Sequence, residues 1–100
     1  MNLSGRTILI TGAAQGIGLA TAQLCAALDA NVILLDRSEE QLDAALASFD
    51  SGKAMKIAGS VTDRAFVKQA VAEAAARFGG IHGLVNNAGI TRTAMIDKMT

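Results

Sequence analysis

A chain of 100 residues, 51% hydrophobic and 18% charged, can bury one modest core, which excludes two domains. Nine basic and nine acidic residues cancel to a formal charge of zero and form no lysine or arginine run, so no nucleic-acid partner is expected. Apolar stretches such as Leu24 to Leu28 fall far short of the roughly 20 residues that cross a bilayer, so no membrane partner is expected either. The N-terminus lacks a basic start followed by an apolar core, and the chain holds one cysteine; both point to the cytoplasm.

Short apolar runs alternate with segments of helical periodicity, the rhythm of βαβ units around a parallel sheet. Thr7 to Thr11 has no polar alternation, as expected of a strand buried on both faces. From Gly16 onward, Ile17, Ala20, Leu24 and Leu28 fall at helical spacing and predict the apolar stripe of a first helix, with Cys25 beside it as core filling. Asp29-Ala30 turns the chain into a second strand, Asn31 to Asp36.

Ser38-Glu39-Glu40-Gln41 matches a capping box, which starts a second helix with Leu42, Ala45, Leu46 and Phe49 inward. Lys53 to Ala58 puts Met55 and Ile57 on one face and carries two lysines, which suits an edge strand. Thr62 or Asp63 can cap a third helix that buries Phe66, Val67, Ala70, Val71, Ala74 and Phe78 and pairs Glu73 with Arg77 outside. Gly79-Gly80 ends that helix, and Ile81 to Val85 is the fourth strand. Right-handed crossovers then give a Rossmann-type doubly wound sheet, in part, with strand order 3-2-1-4 and a switch of direction between strands 1 and 4.

Open sheets of this kind bind ligands at the switch, and the chemistry-bearing residues fall there. Thr11-Gly12-Ala13-Ala14-Gln15-Gly16-Ile17-Gly18 joins the first strand to the first helix. A side chain at Gly12 or Gly16 would hold backbone N–H groups away from a pyrophosphate, and Gly18 permits close packing of helix on strand. The plainer alternative is an ordinary tight turn. Asp36 ends the second strand about 20 residues later, where a dinucleotide site places an acid for the adenosine ribose. That carboxylate repels a 2′-phosphate and Gln15 adds no positive charge, so NAD is favoured over NADP, although Arg37 beside Asp36 could pair with a phosphate. A solvated Asp-Arg pair ahead of a helix cap is the alternative there.

The spacing T-G-x-x-x-G-x-G resembles the cofactor turn of the short-chain dehydrogenase/reductase family, and Asn86-Asn87-Ala88-Gly89 resembles its second hallmark. Leu3-x-Gly5-Arg6 and Val61-Thr62-Asp63 also resemble the family in the expected order, so the resemblance covers the whole chain. It implies an NAD(P)-dependent oxidoreductase that interconverts an alcohol and a carbonyl of a small molecule by hydride transfer, in a homo-oligomeric parent. It also implies that Asn87, Ala88 and Gly89 lie along the cofactor's ribose and that Ser60 and Val61 border the adenine. Many relatives carry Asp or Asn in place of Ser60 and an acid in place of His82; a His82 without a catalytic task is the expectation. The run from Asn86 to Arg92 and the methionines after it resemble 3-oxoacyl-acyl-carrier-protein reductases, which commonly use NADPH, against the preference that Asp36 indicates.

The family's acid/base is a tyrosine four residues before a lysine, and this sequence contains no tyrosine. No catalytic residue is therefore assigned, and no metal site. Residues 1–100 are expected to be the N-terminal part of an NAD(P)-binding domain, cut before the catalytic segment at Thr100, a suitable helix N-cap, and inactive alone. Met95, Ile96 and Met99 are expected to pack as a helical face. Two other readings stay open: a catalytically silent nucleotide-binding module that ends at Thr100, and a different doubly wound enzyme such as a methyltransferase.

Overall fold

A computed structural model of the chain describes residues 2–50, 52–60 and 63–87. Val61, Thr62, Ala88, Gly89 and the Met95-Ile96-Met99 face lie outside the described residues, as does Thr100. The elements alternate as β1 (Thr7–Thr11), α1 (Gly16–Ala27), β2 (Asn31–Asp36), α2 (Glu39–Leu46), β3 (Ala54–Ala58), α3 (Arg64–Phe78) and β4 (Gly83–Val85). All the strand pairs are parallel, in the order β3-β2-β1-β4 expected from the right-handed crossovers.

Side chains of a strand alternate between faces, and here the alternation divides the core in two. Ile10, Val32 and Leu34 meet Ala22 of α1 with Leu42 and Ala45 of α2. Leu9, Ile33, Leu35 and Ile57 meet Ala70 and Ala74 of α3 on the opposite face. Val32 to Leu35 are at most 1% exposed, and burying each side chain contributes roughly 1.5–3 kcal/mol. β2, flanked by β3 and β1, is thus the most buried strand, and Asp36 stands at its C-terminal end.

The punctuation acts as its chemistry requires. Ser38 Oγ accepts from the Gln41 N–H at 3.2 Å, and the Asp63 carboxylate accepts from the Phe66 N–H at 3.1 Å. Gly79 closes α3 in the left-handed conformation with φ 84°. β3 is an edge, and its lysine Lys56 is drawn back to α2, 3.1 Å from Glu39 and paired with Asp43. Lys53, just ahead of β3, pairs with Asp29. Charges so placed blunt an unpaired edge.

Two expected helix faces are corrected. Ile17 and Leu24, assigned to the inner stripe of α1, are 71% and 62% exposed, and Ala20 is exposed as well. The helix instead turns Gly18 and Ala22 inward, with Leu19, Cys25 and Ala26 packed against the core. α1 is apolar nearly all round, so its own pattern selects no face; the contact of Gly18 with Gly12 does. In α3, Val71 is 38% exposed, because the sheet covers the narrower arc of Phe66, Ala70, Ala74 and Phe78. The Arg77 guanidinium lies 4.9 Å from the centre of the Phe78 ring.

Candidate nucleotide-binding site

The chain leaves β1 at Thr11 and makes the glycine turn over the C-terminal ends of the strands. Gly12 and Gly16 both have φ 62°, a left-handed conformation that side-chain-bearing residues rarely adopt. Among the described residues, no atom beyond the neighbouring backbone lies within 4 Å of the position a Cβ of Gly16 would occupy. Gln15 is the N-cap of α1 in extended conformation and makes no side-chain hydrogen bond to the helix, and no acidic residue stands in the first turn. The first N–H groups of this 12-residue helix thus receive no side-chain cap from Gln15, an arrangement that suits an anion. Ile17 stands exposed in this first turn.

Gly18 sits on the other side of the turn. A Cβ there would lie 2.0 Å from the Gly12 carbonyl oxygen and 2.7 Å from Asn87 Nδ2, so only glycine lets α1 approach β1 this closely. Asn87 Nδ2 donates to the Gly12 carbonyl at 3.2 Å, which fastens the turn to the end of β4.

Asp36 meets the turn from the neighbouring strand. Ala13 N–H donates to the Leu35 carbonyl at 3.2 Å, and Ala14 N–H donates to Asp36 Oδ2 at 2.9 Å. The Arg37 N–H donates to Asp36 Oδ1 at 2.7 Å, and Gly59 N–H donates to the Asp36 carbonyl at 2.8 Å. Glycine turn, carboxylate and the end of β3 thus form one rim. Arg37 is exposed, and Ser60, half-buried one residue beyond Gly59, accepts from the Asp63 N–H at 3.2 Å through its carbonyl. Gly12, Gln15, Gly16, Ile17, Gly18, Asp36, Arg37, Ser60 and Asn87 accordingly gather at the C-terminal ends of the strands; Val61, Ala88 and Gly89 belong to the residues not described.

Thr11 is the residue that sequence reasoning left out of the site. Its side chain is buried, its Oγ1 accepts from the Asn87 N–H at 2.8 Å, and it donates toward Asn86 Oδ1 at 3.1 Å. One hydroxyl therefore ties the end of β1 to the asparagine pair about 75 residues later. The signal was a threonine ending an otherwise apolar buried run, whose hydroxyl needs a partner. His82 occupies the opposite end of the sheet, where Nδ1 accepts from the Thr7 N–H at 2.9 Å, far from any chemistry at the turn. The shifted ionisations also lie elsewhere. Lys53 beside Asp29 holds that carboxyl below the usual range, Asp43 and Glu39 push Lys56 up, and burial pushes the Cys25 thiol up. The rim combines backbone N–H donors, which suit an anionic group, with one carboxylate, which suits hydroxyl donors.

Comparison with known proteins agrees with this fold. The model of the family described as short chain dehydrogenase matches residues 6–100. A 3-oxoacyl-acyl-carrier-protein reductase of Thermotoga maritima is 45% identical over 101 residues, covering 99% of this chain and 41% of that protein. Gluconate 5-dehydrogenase of Gluconobacter oxydans is 40% identical over 101 residues, covering 99% and 40%. Among solved structures, a glucose/ribitol-type short-chain dehydrogenase/reductase from Brucella melitensis superposes with a TM-score of 0.85 at 39% identity, covering 92% of this chain and 40% of that one. The C-domain of a bacterial malonyl-CoA reductase with NADP superposes with a TM-score of 0.81 at 31% identity, covering 88% and 15%. The chain thus spans about two fifths of the length of these curated relatives.

Proposed function

We propose, from the premise that the chain belongs to the short-chain dehydrogenase family, that residues 1–100 form the N-terminal, dinucleotide-binding part of an oxidoreductase that interconverts an alcohol and a carbonyl. The observation that carries this reading is the hydrogen bond from Ala14 N–H to Asp36 Oδ2, which joins the glycine turn after β1 to the carboxylate at the end of the neighbouring strand β2 on one rim of the sheet. In this reading the N–H groups at Gly16 to Gly18 receive the pyrophosphate, Asp36 receives the adenosine ribose hydroxyls, and Asn87 orients the turn from beneath. Arg37, Ser60, Val61, Ala88 and Gly89 complete the expected contacts. A bound nicotinamide would supply the hydride chemistry; these residues hold and orient the dinucleotide. The sequence has no tyrosine, so residues 1–100 alone are expected to bind without turnover.

The Asp36 carboxylate favours NAD(H) over NADP(H), since a 2′-phosphate would meet like charge. The NADP named with the malonyl-CoA reductase domain, together with exposed Arg37, supports NADP(H) as the second reading. The relatives above act on chemically different alcohols and carbonyls, so the proposed substrate class stays a small-molecule alcohol or carbonyl. Calorimetric titration of the full chain with NADH, NADPH and S-adenosylmethionine tests the proposal. NADH is expected to bind tightest, and Asp36→Ala is expected to weaken NADH more than NADPH. An equal loss for both refutes the ribose role, and preference for S-adenosylmethionine refutes the dehydrogenase reading.

A further inference from the structure

Both oxygens of the Asp36 carboxylate already accept backbone N–H groups, from Ala14 and from Arg37. A carboxylate offers about four acceptor positions, so roughly two remain for a ligand's hydroxyls. The positions already used have a separate consequence. The turn is tied to the sheet by Ala13 on the Leu35 carbonyl, by Asn87 on the Gly12 carbonyl and by Ala14 on Asp36. The tie at Ala14 involves a charged acceptor, and such bonds are roughly twice as strong as neutral ones. It also lies nearest in sequence to Gln15 and Gly16, whose backbone leads into the uncapped start of α1.

Resting on the dinucleotide reading above, we propose that Asp36 is a positioning residue for the phosphate-binding turn as well as an acceptor for ribose: through Ala14 it holds the N–H groups at Gly16 to Gly18 in place before a ligand arrives. Donors held in advance avoid an ordering cost on binding. The same geometry adds a second component to cofactor selectivity, because a 2′-phosphate that displaces the carboxylate also releases the turn that binds the pyrophosphate.

The test separates the two roles of Asp36 with ADP and 2′,3′-dideoxy-ADP, which keeps the adenine and the diphosphate and lacks both ribose hydroxyls. Asp36→Ala and Asp36→Asn in the full chain both remove the charge, whereas only Asn retains an oxygen for the Ala14 N–H. Dideoxy-ADP is expected to bind Asp36→Asn at least about fivefold tighter than Asp36→Ala, the worth of one ordinary hydrogen bond. A backbone ester at position 14, made by substituting lactic acid for Ala14, removes the N–H and leaves the Asp36 side chain in place. It is expected to weaken dideoxy-ADP about fivefold against the parent. Equal dideoxy-ADP affinity across these comparisons overturns the proposal, and so does a lower melting temperature with unchanged affinity, which marks a merely structural bond. Failure of the parent to bind dideoxy-ADP at millimolar concentration overturns it too. Failure of the ribose reading has a different signature: the parent would bind ADP no more tightly than dideoxy-ADP.

Discussion

Replacing Gly18 with alanine probes the contact on which the candidate site is built. In an ordinary helix interior Gly→Ala stabilises by about 1 kcal/mol, because alanine is the better helix former. Here the added Cβ would stand 2.0 Å from the Gly12 carbonyl oxygen and 2.7 Å from Asn87 Nδ2, where real contacts begin at about 3.0 Å, so α1 must retreat by about 1 Å. Overpacking of this kind costs about 1–3 kcal/mol, and loss of the Asn87 to Gly12 hydrogen bond adds about 1 kcal/mol. After the gain in propensity, the expected net loss is about 1–3 kcal/mol, a sizeable share of a small domain's stability. Urea denaturation of the full chain should show a lower midpoint with an unchanged slope. The affinity for NADH should fall with it, since the displaced atoms are those of the turn. A neutral or stabilising Gly18→Ala would refute the close approach and, with it, the account of why α1 faces the way it does.

Thr11→Val should cost about 1–3 kcal/mol, because the half-buried Asn87 N–H loses its acceptor, and Thr11→Ser should recover most of that loss in the same denaturation assay. A Cβ at position 59 would fall 2.0 Å from the Phe66 ring, so Gly59→Ala should destabilise and Phe66→Leu should relieve it. A double-mutant cycle with no coupling would contradict that interlock. Lys56, raised by its hydrogen bonds to Asp43 and Glu39, contributes stability that is fully present below the ordinary lysine range and is lost as pH rises through its higher folded value. Melting temperatures measured from pH 8 to pH 12 should therefore converge between the parent and Lys56→Met at the alkaline end; a constant gap would remove the ion pair as the cause.

Much of this protein follows from local pattern. Val32 to Leu35 has no polar alternation and becomes the strand buried on both faces; Ser38 and Asp63 start helices because their side chains accept the free N–H groups, and Gly79 ends one because it tolerates the left-handed position. The parallel order and the mouth between β1 and β4 follow from strand-helix alternation and crossover handedness. The glycines at 12, 16 and 18 and the acid at 36 were legible because their spacing is a property of the chain itself.

What tertiary structure decided is orientation and partnership. The stripe read from Ile17 and Leu24 faces outward, because in a helix apolar on every side the burial pattern is set by the single point at which the backbone can come closest, Gly18 on Gly12. The bonds of Thr11 with Asn87 and of Asp36 with Ala14 join residues that only folding brings together, and no periodicity encodes a hydrogen bond across such separations. Sequence thus determined which elements form and which residue types reach the mouth of the sheet, since both depend on neighbours along the chain. Packing determined which face each helix presents and which atoms the site residues hold, since both depend on contacts between segments far apart in sequence.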